Sequence, residues 1–316
     1  MLNRRYLRIK VLQALYAFRQ SSESDPGRNL HEMFRNIEIM VELYLYLLQL
    51  IVEMKSLAVT RINEAHKKKL PNNEDINPNL KFVNNRMIRI LSENDHFQHE
   101  ISKRKISWEQ DGHLLNRLFR ELLDSSIYKN YMIQQNDCFE KDRELCCGWI
   151  KKIILPMDLI HSHFQSKNIY WYDDFFIVCF NILRTFKGIK EKSIPSTNIL
   201  LPLYKNRKED KEFTKRLFLK TIERQSIYTE IIAKKTQNWE IDRIALVDAI
   251  LMSMAICELL NFETIPVKVT LNEYIEISKD YSTPRSRVFI NGILDKIADE
   301  LKKEGKIKKR GRGLIE

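Results

Sequence analysis

The chain has 316 residues, long enough for one extended domain or two, and its 53 Lys+Arg against 42 Asp+Glu give a formal net charge of +11. That excess favours a polyanionic partner wherever it is concentrated on one surface, and both ends of the chain are rich in Lys and Arg. Five irregularly spaced cysteines exclude a disulfide framework, and the apolar run over residues 40–52 is broken by Glu42 and Gln49 and falls short of the ~20 residues a membrane helix needs, so a soluble cytoplasmic protein without a secretory signal is expected.

Eight glycines, eight prolines and no sustained strand alternation predict an all-α fold. The first helix spans residues 4–19 and ends before Ser-Ser-Glu-Ser-Asp-Pro-Gly. Leu7, Val11, Ala14, Leu15 and Phe18 share one face, whereas Arg5, Arg8, Tyr16 and Arg19 gather on another that is expected to be available. A second helix is predicted over residues 30–69, about 60 Å long if unbroken. Residues 70–79, with Pro71, Pro78 and several asparagines, form the clearest loop. Helices follow over 80–105, 108–123 and 143–166, the last bent at Pro156, and then over 173–186, 212–235, 241–260, 270–281 and 285–303.

An internal echo lies in the middle of the chain. Arg117-Leu118-Phe119 and Ser126-Ile127-Tyr128 recur as Arg216-Leu217-Phe218 and Ser226-Ile227-Tyr228, and either a duplicated helical unit or chance matching of Leu- and Arg-rich helices accounts for this. Tyr170, Trp171, Tyr172, Phe175 and Phe176 read as helix–helix core, with base stacking the alternative. His161, His163 and Cys146-Cys147 lack metal-ligand spacing, so no metal and no cofactor is expected.

Near the C-terminus, Ile241, Ile244, Ala245, Ile250, Leu251, Met254 and Ala255 give a broadly apolar helix whose exterior is expected to carry Asp242, Arg243, Asp248 and Glu258. The next helix is expected to expose Glu273, Glu276 and Lys279 and to bury Leu271, Tyr274 and Ile275. Ser282-Thr283-Pro284 caps a last helix that begins with Arg285 and Arg287. Arginines at that end oppose the macrodipole, a cost that a bound polyanion turns into attraction. Asn291-Gly292 inside this helix predicts close packing against a neighbour, since glycine there costs about 1 kcal/mol relative to alanine.

The blocks NRRYLRIKVLQALYAF, NWEIDR, ICELL, PVKVTLNEYIEISK and FINGILDK resemble the NusB family of transcription antitermination factors, over about a third of the chain. The resemblance implies two small helical bundles, no catalytic activity, and binding of boxA-type RNA jointly with the ribosomal protein NusE in an RNA polymerase antitermination complex. It directs attention to Arg4, Arg5 and Arg8 as phosphate contacts with Gln13 and Tyr16 beside them, and to Arg285, Arg287 and Phe289 as a second RNA-facing element. Arg285 stands where the family often has an acidic residue, a departure that strengthens general RNA binding and blurs sequence preference. Glu240, Asp242 and Asp248 are the acidic positions expected to meet NusE.

The expected organisation is a basic first helix over 1–20, a helical insertion over 21–210, a NusB-like helical region over 211–303 and a basic flexible tail over 304–316. A protein-binding scaffold with non-specific RNA affinity, self-associating or contacting polymerase, is the alternative. An RNA cytosine methyltransferase relationship is the weaker one, because no glycine-rich cofactor loop accompanies the motifs.

Overall fold

The computed structural model describes residues 1–21, 25–135, 138–236 and 244–314. Its regular elements are helices: α1 (Arg4–Gln20), α2 (Pro26–Glu38), α3 (Met40–His66), α4 (Asn73–Ile76), α5 (Arg86–Ser92), α6 (Asp95–Arg104), α7 (Gly112–Asp124), α8 (Ser126–Ile133) and α9 (Phe139–Trp149). The series continues with α10 (Asp158–Lys167), α11 (Trp171–Gly188), α12 (Arg207–Glu223), α13 (Gln225–Lys235), α14 (Leu246–Asn261), α15 (Val267–Tyr281) and α16 (Pro284–Lys303). The all-α expectation holds. No helix among the described residues is long and apolar enough to cross a membrane.

The chain divides into two compact units, one comprising Met1 and Glu38–Pro202, the other Leu2–Ile37 and Leu203–Glu316. In the first, α3 is apolar almost all round and buries Leu43, Tyr44, Leu47, Leu48 and Ile51 against α11 and its neighbours. The ring of Tyr46 meets Trp108, Phe164 and Trp171 edge-on at 5.8–6.2 Å. Tyr44 donates or accepts one hydrogen bond with Thr185 at 2.6 Å, which satisfies both hydroxyls in the core.

Several predicted helices are shorter than the apolar pattern suggests. The helix expected over residues 30–69 is interrupted at Ile39, whose carbonyl accepts from the Trp171 indole N–H at 3.2 Å as well as from the chain ahead of it. The helix expected over 80–105 splits because Asn94 caps α6, its side-chain oxygen accepting from Phe97 N–H while its amide donates to the carbonyls of Pro195 and Thr197. A similar one-residue break at Arg224 separates α12 from α13. The loop over 70–79 contains a single helical turn, α4, held by a capping box between Asn72 and Asp75. The helix expected over 143–166 with a bend at Pro156 is instead broken there: the backbone widens to a π turn over Ile150–Ile154, Leu155 N–H reaches Ile150 O at 2.8 Å before the proline, and Met157 is extended ahead of α10.

The aromatic run around α11 divides between core and surface. Trp171 and Phe175 are buried, whereas Tyr170, Tyr172 and Phe176 are exposed, which corrects the reading of all five as core. His161 packs on the Phe175 ring at 4.0 Å and His163 stacks on Trp108 at 5.7 Å.

In the second unit, α1 packs on α12, α14 and α15, and α14 is enclosed by α12, α13, α15 and α16. Asn3 caps α1 by accepting from Tyr6 N–H at 3.0 Å, and Thr283 caps α16 by accepting from Ser286 N–H at 3.1 Å, with Pro284 opening that helix. Gly292 corrects a prediction: it is exposed, and a Cβ there would meet nothing within 4 Å, so no close helix contact demands it. The described part of the tail docks: Lys309 Nζ donates to Phe262 O at 2.9 Å, Arg310 N–H to Glu263 O at 2.9 Å, and Gly313 is buried.

Candidate nucleic-acid interface

Helix α1 presents its basic residues to acidic partners on three other helices. Arg4 pairs with Asp210 on α12 at 3.0 Å and lies over the Phe213 ring at 4.4 Å. Arg5 makes a bidentate pair with Glu273 on α15, both bonds at 3.0 Å, yet its side chain keeps 40% exposure. The Glu273 hydrogen bond raises the Arg5 pKa against the opposing effect of burial.

Arg8 lies in a different environment. Its side chain is 2% exposed and forks onto Glu258 of α14, itself 0% exposed, with bonds of 2.8 and 2.7 Å. Burial alone would lower the Arg8 pKa, but the charge and hydrogen bonds of Glu258 override it and the net shift is upward. Glu258 also accepts from Thr270 Oγ at 2.9 Å and Tyr274 OH at 3.2 Å. This closed network corrects the expectation that Arg8 stands on an available face and that Glu258 decorates the exterior of its helix. A guanidinium enclosed in this way is a structural tie between α1, α14 and α15, not an accessible phosphate contact.

Asp248 is likewise corrected. It is 3% exposed and accepts the hydroxyl of Ser282, holding α14 to the turn before α16. Glu240 and Asp242, the other acidic positions expected to meet a partner, lie outside the described residues.

The remaining predicted positions lie on α1 and at the start of α16, two helices that pack on α15. Glu276 on α15 is held below the ordinary carboxylate range first by its hydrogen bond from Lys279 and then by the charges of Arg5 and Arg287. Helices α1 and α16 both pack on α15, which carries Glu276. Gln13 Nε2 approaches Tyr281 OH at 3.4 Å, linking α1 to the end of α15 just before the α16 turn. Arg285 and Arg287 are exposed at the start of α16, where no acidic residue occupies the first turn, and Phe289 is half-buried beside them. Tyr16 is 41% exposed one helical turn beyond Gln13. Sequence reasoning missed Glu273, Glu276 and Tyr281 as the groups that organise this surface. The signal was present in the alternation Glu273, Glu276, Lys279, which puts charge on each successive turn of α15.

The NusB family model matches residues 184–299. A transcription antitermination protein NusB from Salinibacter ruber is 49% identical over 105 residues, covering 33% of this chain and 66% of the relative. One from Chloroherpeton thalassium is 49% identical over 85 residues, 27% of this chain and 40% of the relative. A solved T. maritima NusB structure shares 38% identity over 32% of this chain and 70% of its own, with a TM-score of 0.29. The chain belongs to the NusB family. The NusB-family match begins within α11 and includes α12–α15 and most of α16, while residues 1–183 lie outside the family model. The chain thus spans at most about two thirds of the curated NusB relatives above.

Proposed function

We propose that this protein is an RNA-binding transcription antitermination factor without catalytic activity, acting in the cytoplasm on nascent transcripts. It takes boxA-type RNA jointly with NusE and polymerase-associated factors, with a role in rRNA transcription. The observation that carries the RNA reading is the cationic start of α16: Arg285 and Arg287 are exposed at a helix N-terminus that lacks any acidic residue in its first turn. Cations there oppose the macrodipole, so the arrangement costs the free protein a few tenths of a kcal/mol and favours the bound polyanion. Arg5, 40% exposed on α1, adds a further cation, and both α1 and α16 pack on α15. Phe289 and Tyr16 supply aromatic surface against which bases stack. For NusE, Glu240 and Asp242 are the acidic positions in view; Asp248 acts from inside by holding Ser282.

The test is salt-dependent binding of Arg285→Ala/Arg287→Ala. Each lost phosphate contact to a single strand reduces the slope of log K against log salt by ~0.7, so the double variant should lose about 1 to 1.5. An unchanged slope would remove this surface from the interface.

A further inference from the structure

The internal echo extends beyond two tripeptides. After Ser126-Ile127-Tyr128 comes Phe139-Glu140-Lys141-Asp142-Arg143, and after Ser226-Ile227-Tyr228 comes Trp239-Glu240-Ile241-Asp242-Arg243, again nearly one hundred residues later. The helices follow suit: α7 and α8 are joined through the single residue Ser125, α12 and α13 through Arg224. Their buried positions share one register, Leu115, Leu118, Phe119 and Leu122 against Thr214, Leu217, Phe218 and Thr221. Pro156 then precedes α10 as Pro266 precedes α15. Within the first unit α9 packs on α8 and α11, and α10 on α11; within the second, α14 packs on α13 and α16, and α15 on α16. In the fifth helix of each set, Cys179, Ile182, Leu183 and Phe186 are buried, as are Ile290, Ile293, Leu294 and Ile297. This register makes α11 the counterpart of α16 and sets Phe176 opposite Arg287.

The exposed face of α11 is not an ordinary solvated one. Tyr172, Phe176 and Phe180 occupy successive turns, about 6 Å apart along the axis, at 52, 50 and 54% exposure. Arg184 and Lys187 continue the same face toward the helix C-terminus and are exposed. The acidic residues of the first turn, Asp173 and Asp174, lie at the opposite end, and Asp174 is buried.

We propose that this face of α11 is a second RNA-contact surface, on which bases of a single strand stack against Tyr172, Phe176 and Phe180 while Arg184 and Lys187 take its phosphates. Rings in successive turns ending in cations match the two needs of single-strand binding, a stacking platform and a positive track for the backbone. The cationic end favours a polyanion over a second apolar protein face. The repeat supports the same choice at one position, because the residue of α16 that aligns with Phe176 is Arg287, one of the two arginines assigned above to RNA. The proposal rests on the RNA-binding reading of the chain.

The experiment uses the full chain and a uridine-rich single-stranded RNA bearing 4-thiouridine, read by anisotropy and by mapping crosslinks. Phe176→Ala/Phe180→Ala should weaken binding roughly fivefold or more per ring with the salt slope unchanged. Phe176→Tyr/Phe180→Tyr should restore it, and wild-type crosslinks should map to α11. Arg285→Ala/Arg287→Ala should lower the slope and leave the α11 crosslinks in place. Wild-type affinity in the Phe176→Ala/Phe180→Ala variant, or crosslinks absent from α11, overturns the proposal; if Arg285→Ala/Arg287→Ala still weakens binding, the RNA reading itself survives. Loss of self-association in the same variant, with RNA affinity intact, assigns the face to a second copy of the chain and equally overturns it. A wild-type chain that binds no RNA sinks both readings.

Discussion

Arg8→Ala removes one member of an ion pair that is 2 and 0% exposed and leaves the Glu258 carboxylate, among the described residues, with the hydroxyls of Thr270 and Tyr274 as its donors. Breaking a buried pair from one side costs about 3–5 kcal/mol, because the surviving charge stays desolvated. The second unit should therefore lose a substantial fraction of the roughly 5–15 kcal/mol that a domain ordinarily has. Removing both charges is a different perturbation: Arg8→Met with Glu258→Met leaves no orphan charge, and adding Tyr274→Phe removes a hydroxyl that would otherwise lose its acceptor, so this variant should recover most of the loss. Urea unfolding followed by hydrogen exchange in α1 and α14 separates this unit from the other, which a single global transition would not. The same residue tests the interface. The Arg8 charge is already neutralised inside the protein, so Arg8→Ala, measured where it is still folded, should keep the wild-type salt slope for RNA. A stability loss under about 1 kcal/mol, or a slope reduced by ~0.7, would refute the assignment of Arg8 to the core.

Arg285→Ala/Arg287→Ala should move two observables in opposite directions: RNA affinity falls, while thermal stability holds or rises by about 0.3–1 kcal/mol as cations leave a helix N-terminus. Gly313→Ala should undock the tail, since a Cβ there would lie 2.1 Å from Glu263 O; limited proteolysis after Lys309 or Arg310 should accelerate while α16 stays protected. For His163, burial lowers the pKa from 6.5, the nearby Asp111 opposing this. The neutral ring's contribution is thus full above about pH 6.5 and is lost as pH falls through the folded-state value. Unfolding at pH 7.5 and 5 should show a loss of stability that is smaller in His163→Phe.

The helical class and the limits of α1 and α16 were legible because caps and apolar periodicity agree there, with Pro284 opening α16. Helices α11 and α15, which lack side-chain caps, begin two and three residues earlier than expected. Where helices end through distant contacts, periodicity carries no warning: the indole of Trp171 reaches Ile39, and the amide of Asn94 reaches Pro195 and Thr197. Arg5 and Arg8 share one side of a helical wheel, yet one is half in water and the other enclosed, because depth depends on Glu258, 250 residues away in sequence. A hint lay in ICELL, where a carboxylate interrupts an otherwise apolar helix and needs a partner. Asp248 misled for the complementary reason: the turn at Ser282 was legible, but its pairing with a carboxylate 34 residues away was not. Nothing in the structure explains Gly292.

The central claim is joint recognition of RNA by Arg5 and the arginines that open α16, together with NusE. It is tested most directly by competition titration of boxA against scrambled RNA at fixed salt, with and without NusE, in wild type and in Arg5→Ala with Arg285→Ala/Arg287→Ala. The account predicts preference for boxA, tighter binding with NusE, and loss of affinity in the variant. Equal, NusE-independent binding of both RNAs that survives the substitutions would contradict it.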